Sequence, residues 1–155
     1  MQWECAKYVA VVCIASTVPM NPVFARQYLN IEEVKHVMFG GELFLKVDIE
    51  IPESVRQKMR KESGVRYAYK QKNVWKSTNG SWVLIDEVVG KHEMITYALG
   101  INAKGLIQGV EIMEYNETYG DQIRERSWLQ QFQGKNAMGT LKWNEDIKNL
   151  TGATL

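Results

Sequence analysis

The sequence predicts an α+β fold in a single domain, with an antiparallel β-sheet covered by a few helices. Its 155 residues, 45% apolar and 24% charged, have the size and composition of one globular domain. Two helical patterns come first, and three β-rich runs joined by short turns follow. A formal charge of +1 provides no overall field that would favour nucleic acid or an anionic membrane as a partner.

The first 25 residues differ from the rest of the chain. The apolar run from Tyr8 to Met20 is shorter than the roughly 20 residues of a membrane-spanning helix, but it fits the hydrophobic region of a signal peptide. Val23-Phe24-Ala25 then places small residues where a signal peptidase reads them. We therefore expect a signal peptide at 1–25 and an exported domain at 26–155, in the periplasm or at the outer face of the plasma membrane.

Two alternatives for the first segment stay open, an apolar helix packed on the domain and an uncleaved membrane anchor. Glu4 offsets the positive charge of Lys7, which weakens the signal-peptide pattern. Cys5 and Cys13 also lie in this segment, so the mature domain would have no thiol, as suits an oxidising compartment.

The predicted helices begin just after the signal segment. Asn30 and Glu33 form a helix N-terminal pair, and the apolar stripe that follows ends before Gly40. Residues 53–62 have helix-forming composition. Between these helices, every second residue from Leu43 to Ile51 is apolar, which predicts a half-buried strand.

The three β-rich runs are Ser81 to Val89, His92 to Gly100 and Leu106 to Tyr115. They predict an antiparallel meander with one apolar face that the helices cover. A further helix is expected from near Arg124 to Phe132, where apolar residues recur at helical spacing.

The side chains argue against several kinds of active site. His36 and His92 are far apart, and neither has a second ligand at helical spacing, so no metal site is predicted. The sequence has no Gly-x-Ser-x-Gly turn, no Walker motif and no Gly-x-Gly-x-x-Gly fingerprint. We predict no catalytic residue.

Two segments carry unusual chemistry. In 111–120 a strand runs into acidic and turn-forming residues before a helix, an arrangement that often lines a cleft. At 150–155 small residues would let a phosphate approach, and Thr151 and Thr154 offer hydroxyls to it. The residues alone also fit a solvated connection and a frayed tail.

The terminal segment reads Thr151-Gly152-Ala153-Thr154, and the earlier one ends in Glu117-Thr118-Tyr119-Gly120. A helical segment and a Gly-Lys pair lie between them, with Trp128, Phe132, Gly134 and Lys135 in that order. This combination resembles the FMN-binding domain family, over roughly residues 82–155. Family members include flavin-carrying periplasmic subunits of ion-pumping NADH:quinone and ferredoxin:NAD oxidoreductases.

The resemblance implies that FMN is the cofactor and that a flavin transferase attaches it to Thr154 through a phosphoester bond. It implies an electron-transfer domain rather than a stand-alone enzyme, with membrane-bound redox proteins as partners. The expected cofactor-binding residues are Thr151, Gly152, Ala153, Thr154, Glu117, Thr118, Tyr119 and Gly120. Trp128 is expected in the core rather than stacked on the flavin ring.

This chain departs from the family pattern at two places. Lys148 stands where the attachment motif has Asp, six residues before Thr154. Family members also continue past the acceptor, so the resemblance implies a domain truncated after Leu155. Two other functions therefore stay open, a reversible FMN-binding sensory or interaction module and a cofactor-free exported structural domain.

Overall fold

The computed structural model describes residues 26–63, 73–139, 141 and 145–150. The predicted signal peptide at 1–25 lies outside the described residues and stays a prediction. Among the residues described, no helix has the length and apolar character needed to cross a bilayer.

One antiparallel sheet of six strands forms the centre of the fold, in the order β1-β6-β5-β4-β3-β2. In chain order the strands are β1 (Arg26–Gln27), β2 (Phe44–Val47), β3 (Val74–Ser77), β4 (Trp82–Val89), β5 (Met94–Ile101) and β6 (Ile107–Tyr115). The helices are α1 (Ile31–Phe39), α2 (Glu53–Ser63) and α3 (Arg126–Leu129). The predicted α+β class, with an antiparallel sheet and a few helices, is confirmed.

The three predicted β runs coincide closely with β4, β5 and β6. The third predicted helix is shorter than expected, because α3 is flanked by 3-10 turns at Asp121–Arg124 and Gln130–Phe132. We call this whole stretch the helical segment 121–132.

Helix α1 begins where the sequence predicts. The Asn30 Oδ1 atom accepts hydrogen bonds from the backbone N–H groups of Glu32 and Glu33 at 2.9 and 3.0 Å. The Glu33 carboxylate in turn accepts the Asn30 N–H at 2.7 Å. Gly40 ends the helix with φ = 64°, which favours glycine.

Alternation along the strands divides the apolar residues between two faces of the sheet. On the first face, Val83, Ala98 and Met113 pack against Val34 and Met38 of α1. On the second face, hydrophobic residues of β5 and β6, including Ile112 and Tyr115, pack against the helical segment 121–132. That segment contributes Ile123, Trp128 and Leu129 to this cluster.

The strand predicted from Leu43 to Ile51 spans only Phe44–Val47. Of its predicted half-buried positions, Val47, Ile49 and Ile51 are half-buried, but the prediction is wrong for Leu43 and Leu45. Leu43 and Leu45 are 79% and 70% exposed, whereas Phe44 packs onto the α1 core cluster. Because β2 is an edge strand, only the side chains that point toward α1 are covered. Strand β3, beside it, was not predicted.

The packing of α1 requires a glycine in β5. A Cβ atom at Gly100 would lie 2.7 Å from the Met38 Sδ atom and 3.0 Å from a Phe39 ring carbon. We expect Gly100→Ala to lower the free energy of unfolding by roughly 1–3 kcal/mol, because the helix must shift. Gly41→Ala is the matched control, since a Cβ there meets open space. Equal stability of the two variants in urea unfolding would contradict this packing.

Candidate functional site

A cavity of about 790 Å³ lies on the second face of the sheet. Its floor is formed by residues of β5 and β6 such as Ile95, Tyr97 and Ile112, and one wall by Ile123, Trp128 and Phe132 of the helical segment. The volume lies within the roughly 300–1,000 Å³ typical of small-molecule sites.

The cavity is apolar inside and polar at its rim. Its floor and wall are mostly aliphatic and aromatic. Lys91 and His92 line it from the connection between β4 and β5, and Glu117 and Thr118 line it from the loop between β6 and the helical segment. This arrangement suits a flat, largely apolar ring whose polar substituents point outward.

The register of β5 and β6 builds the floor. Leu99 lies opposite Val110, Tyr97 opposite Ile112 and Ile95 opposite Tyr115. Ile112 and Tyr115 are three positions apart and would face opposite sides of a regular strand. Both line the cavity because the pairing of β5 with β6 shifts by one residue between Thr96 and Tyr97. The predicted common face of Ile95, Tyr97 and Leu99 is confirmed.

The Glu117 side chain links the loop after β6 to the connection between β4 and β5 at the rim of the cavity. One carboxylate oxygen, Oε1, accepts the backbone N–H of His92 at 2.6 Å and that of Glu93 at 3.0 Å. These backbone donors, chiefly Glu93 and His92, lower the pKa of Glu117 below its ordinary value of 4.5. Gly90 lies directly against this carboxylate, where a side chain would collide with it.

The remaining predicted residues of this loop take different places. Thr118 and Tyr119 line the cavity, and Tyr119 is 80% exposed while its carbonyl accepts the Tyr115 hydroxyl. Gly120 is buried at φ = 88° and turns the chain into the helical segment 121–132. The structure therefore brings Glu117, Thr118 and Tyr119 together at the cavity and places Gly120 behind them.

Trp128 belongs to both the core and the cavity wall. It is half-buried, packs against the second core cluster and meets the Phe132 ring edge-on at 5.2 Å. Its indole Nε1–H donates to the backbone carbonyl of Lys148 at 2.9 Å. The helical segment therefore contacts both the cavity and the chain that leads to the terminal motif.

The terminal motif itself, Thr151, Gly152, Ala153 and Thr154, lies outside the described residues. Its predicted role in holding the flavin stays a prediction.

Sequence reasoning missed the connection between β4 and β5 as part of the site. Val88, Gly90, Lys91 and His92 all line the cavity there. The available signal was the Gly90-Lys91 turn, which was interpreted as a separator between two β runs and as the start of a segment that resembles the family, but not as part of the cofactor site. Nothing in that pattern shows that Glu117, 25 residues after His92, holds the turn in place.

A second cavity of about 300 Å³ lies between α1, β6 and the helical segment. Glu111, Arg124 and Arg126 are among the polar residues that line it. Burial raises the pKa of Glu111, and the charge of Arg126 partly opposes that rise. Its size and polarity fit a flavin ring less well than those of the larger cavity.

The contacts of Glu117 give a pH dependence with a defined sign. Because folding lowers the pKa of Glu117, the ionised carboxylate stabilises the folded state at neutral pH. This contribution to the free energy of unfolding is lost as the pH falls below about 4.5 and through the lowered pKa of the folded state. We expect the free energy of unfolding to fall more steeply below this pH in the wild type than in Glu117→Gln. Urea unfolding at pH 3 to 7 measures this. Glu125→Gln, at an exposed glutamate outside the cavity, is the control; identical profiles for wild type and Glu117→Gln would contradict the assignment.

A comparison with known families places the cavity in a recognised domain. Residues 90–155 match the model of the FMN-binding domain. No curated protein and no solved structure gives a significant match. The match begins at the turn that Glu117 holds and includes β5, β6 and the helical segment 121–132. The carboxyl-terminal part of the chain, residues 90–155, is therefore similar to the FMN-binding domain family, whose domain binds FMN.

Proposed function

We propose that this protein is an exported flavoprotein domain that holds FMN over the second face of the sheet and carries electrons in a membrane-associated redox chain. The observation that supports it best is the apolar cavity of about 790 Å³ built by the segment that matches the FMN-binding domain. A flavin transferase attaches the cofactor to Thr154, and membrane-bound redox proteins exchange electrons with it.

The residues present fit the chemical parts of FMN. The aliphatic floor, with the aromatic rings of Tyr97 and Trp128, matches a planar ring system. Lys91 and Thr118 are polar residues that could face a ribityl chain or phosphate. When bound, FMN supplies the redox chemistry, so the task of the protein is to bind, orient and shield it.

The rigid rim keeps the binding site in one shape. Glu117 ties its loop to the turn at His92, and the Tyr115 hydroxyl holds the carbonyl of Tyr119. Sites that are already ordered lose less conformational entropy when a ligand binds. The exposed side of the rim, where Tyr119 lies, leaves an approach for a redox partner.

Attachment through Thr154 is compatible with the reach of the chain. Lys148 is hydrogen-bonded to Trp128, a residue of the cavity wall. Thr154 is six positions after Lys148, and a stretch of that length spans at most roughly 20 Å.

Covalent attachment and export can be tested together by mass. We expect the full chain, coexpressed with a flavin transferase and exported, to lack residues 1–25, gain the mass of a flavin phosphoester and remain fluorescent after denaturing electrophoresis. Thr154→Ala should lose the flavin mass and the fluorescence. Thr78→Ala, at an exposed turn far from the motif in sequence, is the matched control. An unlabelled wild type would contradict covalent attachment, and an intact N-terminus would contradict cleavage.

The cavity can be tested separately from attachment by filling it. Leu99→Trp places a larger side chain on the cavity floor, so we expect it to block binding of added FMN while the sheet stays folded. Leu45→Trp makes the same change on an exposed edge strand and should bind normally. Fluorescence titration and circular dichroism measure binding and fold. Undiminished binding by Leu99→Trp would place the flavin elsewhere.

Lys148 favours a second candidate, a module that binds FMN reversibly and signals through its shape. The side chain is exposed at the position where the attachment motif has Asp. A transferase that reads the acid would then label this chain poorly, and flavin would be lost on dialysis from a persistent fold. A folded, colourless protein that ignores FMN would instead indicate a cofactor-free structural domain.

A further inference from the structure

Exposed apolar side chains gather at the mouth of the large cavity. Four of the large apolar residues that line it are at least 36% exposed, namely Val88, Val89, Tyr119 and Leu141. Single exposed apolar residues are common on protein surfaces, but a group of them around one opening marks a surface that another molecule covers. The mouth therefore has apolar surface that the described residues leave uncovered.

Tyr119 is the most exposed of these side chains, yet its main chain is fixed. The Tyr115 hydroxyl donates to the Tyr119 carbonyl, and the Glu117 carboxylate accepts the backbone N–H of His92. Gly120, which follows Tyr119, is buried at φ = 88°. The loop therefore holds Tyr119 at the cavity mouth, while its exposed ring can still change rotamer.

The chemistry of a tyrosine suits a cover over a flat apolar ligand. Its ring can stack on another planar ring, and its hydroxyl can stay in water. The cavity floor is apolar and includes Tyr97 and Ile112 of the sheet. A planar ligand that lies on this floor would have its second face toward the mouth, where Tyr119 stands 80% exposed.

We propose that Tyr119 covers the face of the flavin ring that the sheet leaves open, and shields that face from solvent. Burial of the Tyr119 ring against the flavin adds apolar contact to that of the floor. Tyr119 is a single side chain, so it covers part of the mouth and leaves the rest to a redox partner. This inference rests on the proposed function, because it needs a flavin in the cavity.

The test measures how well iodide, a collisional quencher of flavin fluorescence, reaches bound FMN. The full chain is expressed without a flavin transferase, and FMN is added with the protein in excess. We expect Tyr119→Ser to raise the quenching rate constant, corrected for the fluorescence lifetime, toward that of free FMN. The same variant should lower FMN affinity roughly two- to tenfold, the effect of one aromatic contact. Tyr119→Phe keeps the ring and should match the wild type in both measurements.

Met94→Ser is the matched control. Met94 is 37% exposed and pairs with Val89 at the rim, but it does not line the cavity. Its replacement should leave the quenching rate constant and the FMN affinity unchanged. The Tyr119 loop is held through a main-chain carbonyl, so Tyr119→Ser should keep the wild-type stability in urea. Tyr119→Asn removes the ring with a residue common in turns, so the test holds if the serine variant fails to fold.

The outcomes separate this inference from the proposed function. If the wild type binds FMN, and the serine and asparagine variants keep its quenching rate constant and affinity, the covering role of Tyr119 alone is overturned. An equal change in Met94→Ser also overturns it, because a general loosening of the rim would then explain the result. Failure of the wild type to bind FMN overturns both proposals.

Discussion

The alternation of side chains along β5 and β6 is the constraint on which the rest of the molecule depends. Ala98 and Gly100 are small enough for α1 to approach the first face closely. Their neighbours Tyr97 and Leu99 necessarily point to the opposite face, where they form the cavity floor. A slip of one residue would exchange the two sets and destroy both the core and the cavity.

The described residues cover the second face only in part, and the candidate site lies where they leave it open. The helical segment 121–132 is short and interrupted by 3-10 turns, so it covers one side of the face rather than its whole width. The guanidinium of Arg124 lies 3.3 Å from the centre of the Tyr28 ring, which holds the start of this segment near β1. What remains uncovered is apolar and concave, and an apolar cofactor would complete the hydrophobic contacts there.

Local signals allowed much of the fold to be predicted. The capping pair Asn30 and Glu33 fixed the start of α1, and alternation located β4, β5 and β6. Strand β3 was missed because its four residues are too few to show a period, and Leu43 and Leu45 were assigned to the wrong face because alternation cannot tell which face is covered. The covered face of β2 depends on the position of α1, and α1 is held by packing on Val83, Ala98 and Met113, which are distant from it in sequence.

The site was predictable only where a motif carried it. Resemblance to a family pointed to Glu117, Thr118 and Tyr119, which line the cavity, and their contact with FMN stays a prediction. The turn at Gly90 and the anchoring of Lys148 each depend on a pair of hydrogen bonds between distant segments, and these leave no periodic or compositional trace in the sequence. Such contacts become visible only once the register of the strands is fixed.

Under the proposed function, the site has two parts that would act on different ends of one ligand. The cavity can bind a ring by apolar contact, and the terminal motif can bind or esterify a phosphate, but each part alone offers a limited surface. Two linked contacts bind more tightly than either one when the connecting chain matches the distance between them. Under the proposed function, the contacts that hold Lys148 would shorten the free part of that connection and raise the effective concentration of the motif at the cavity.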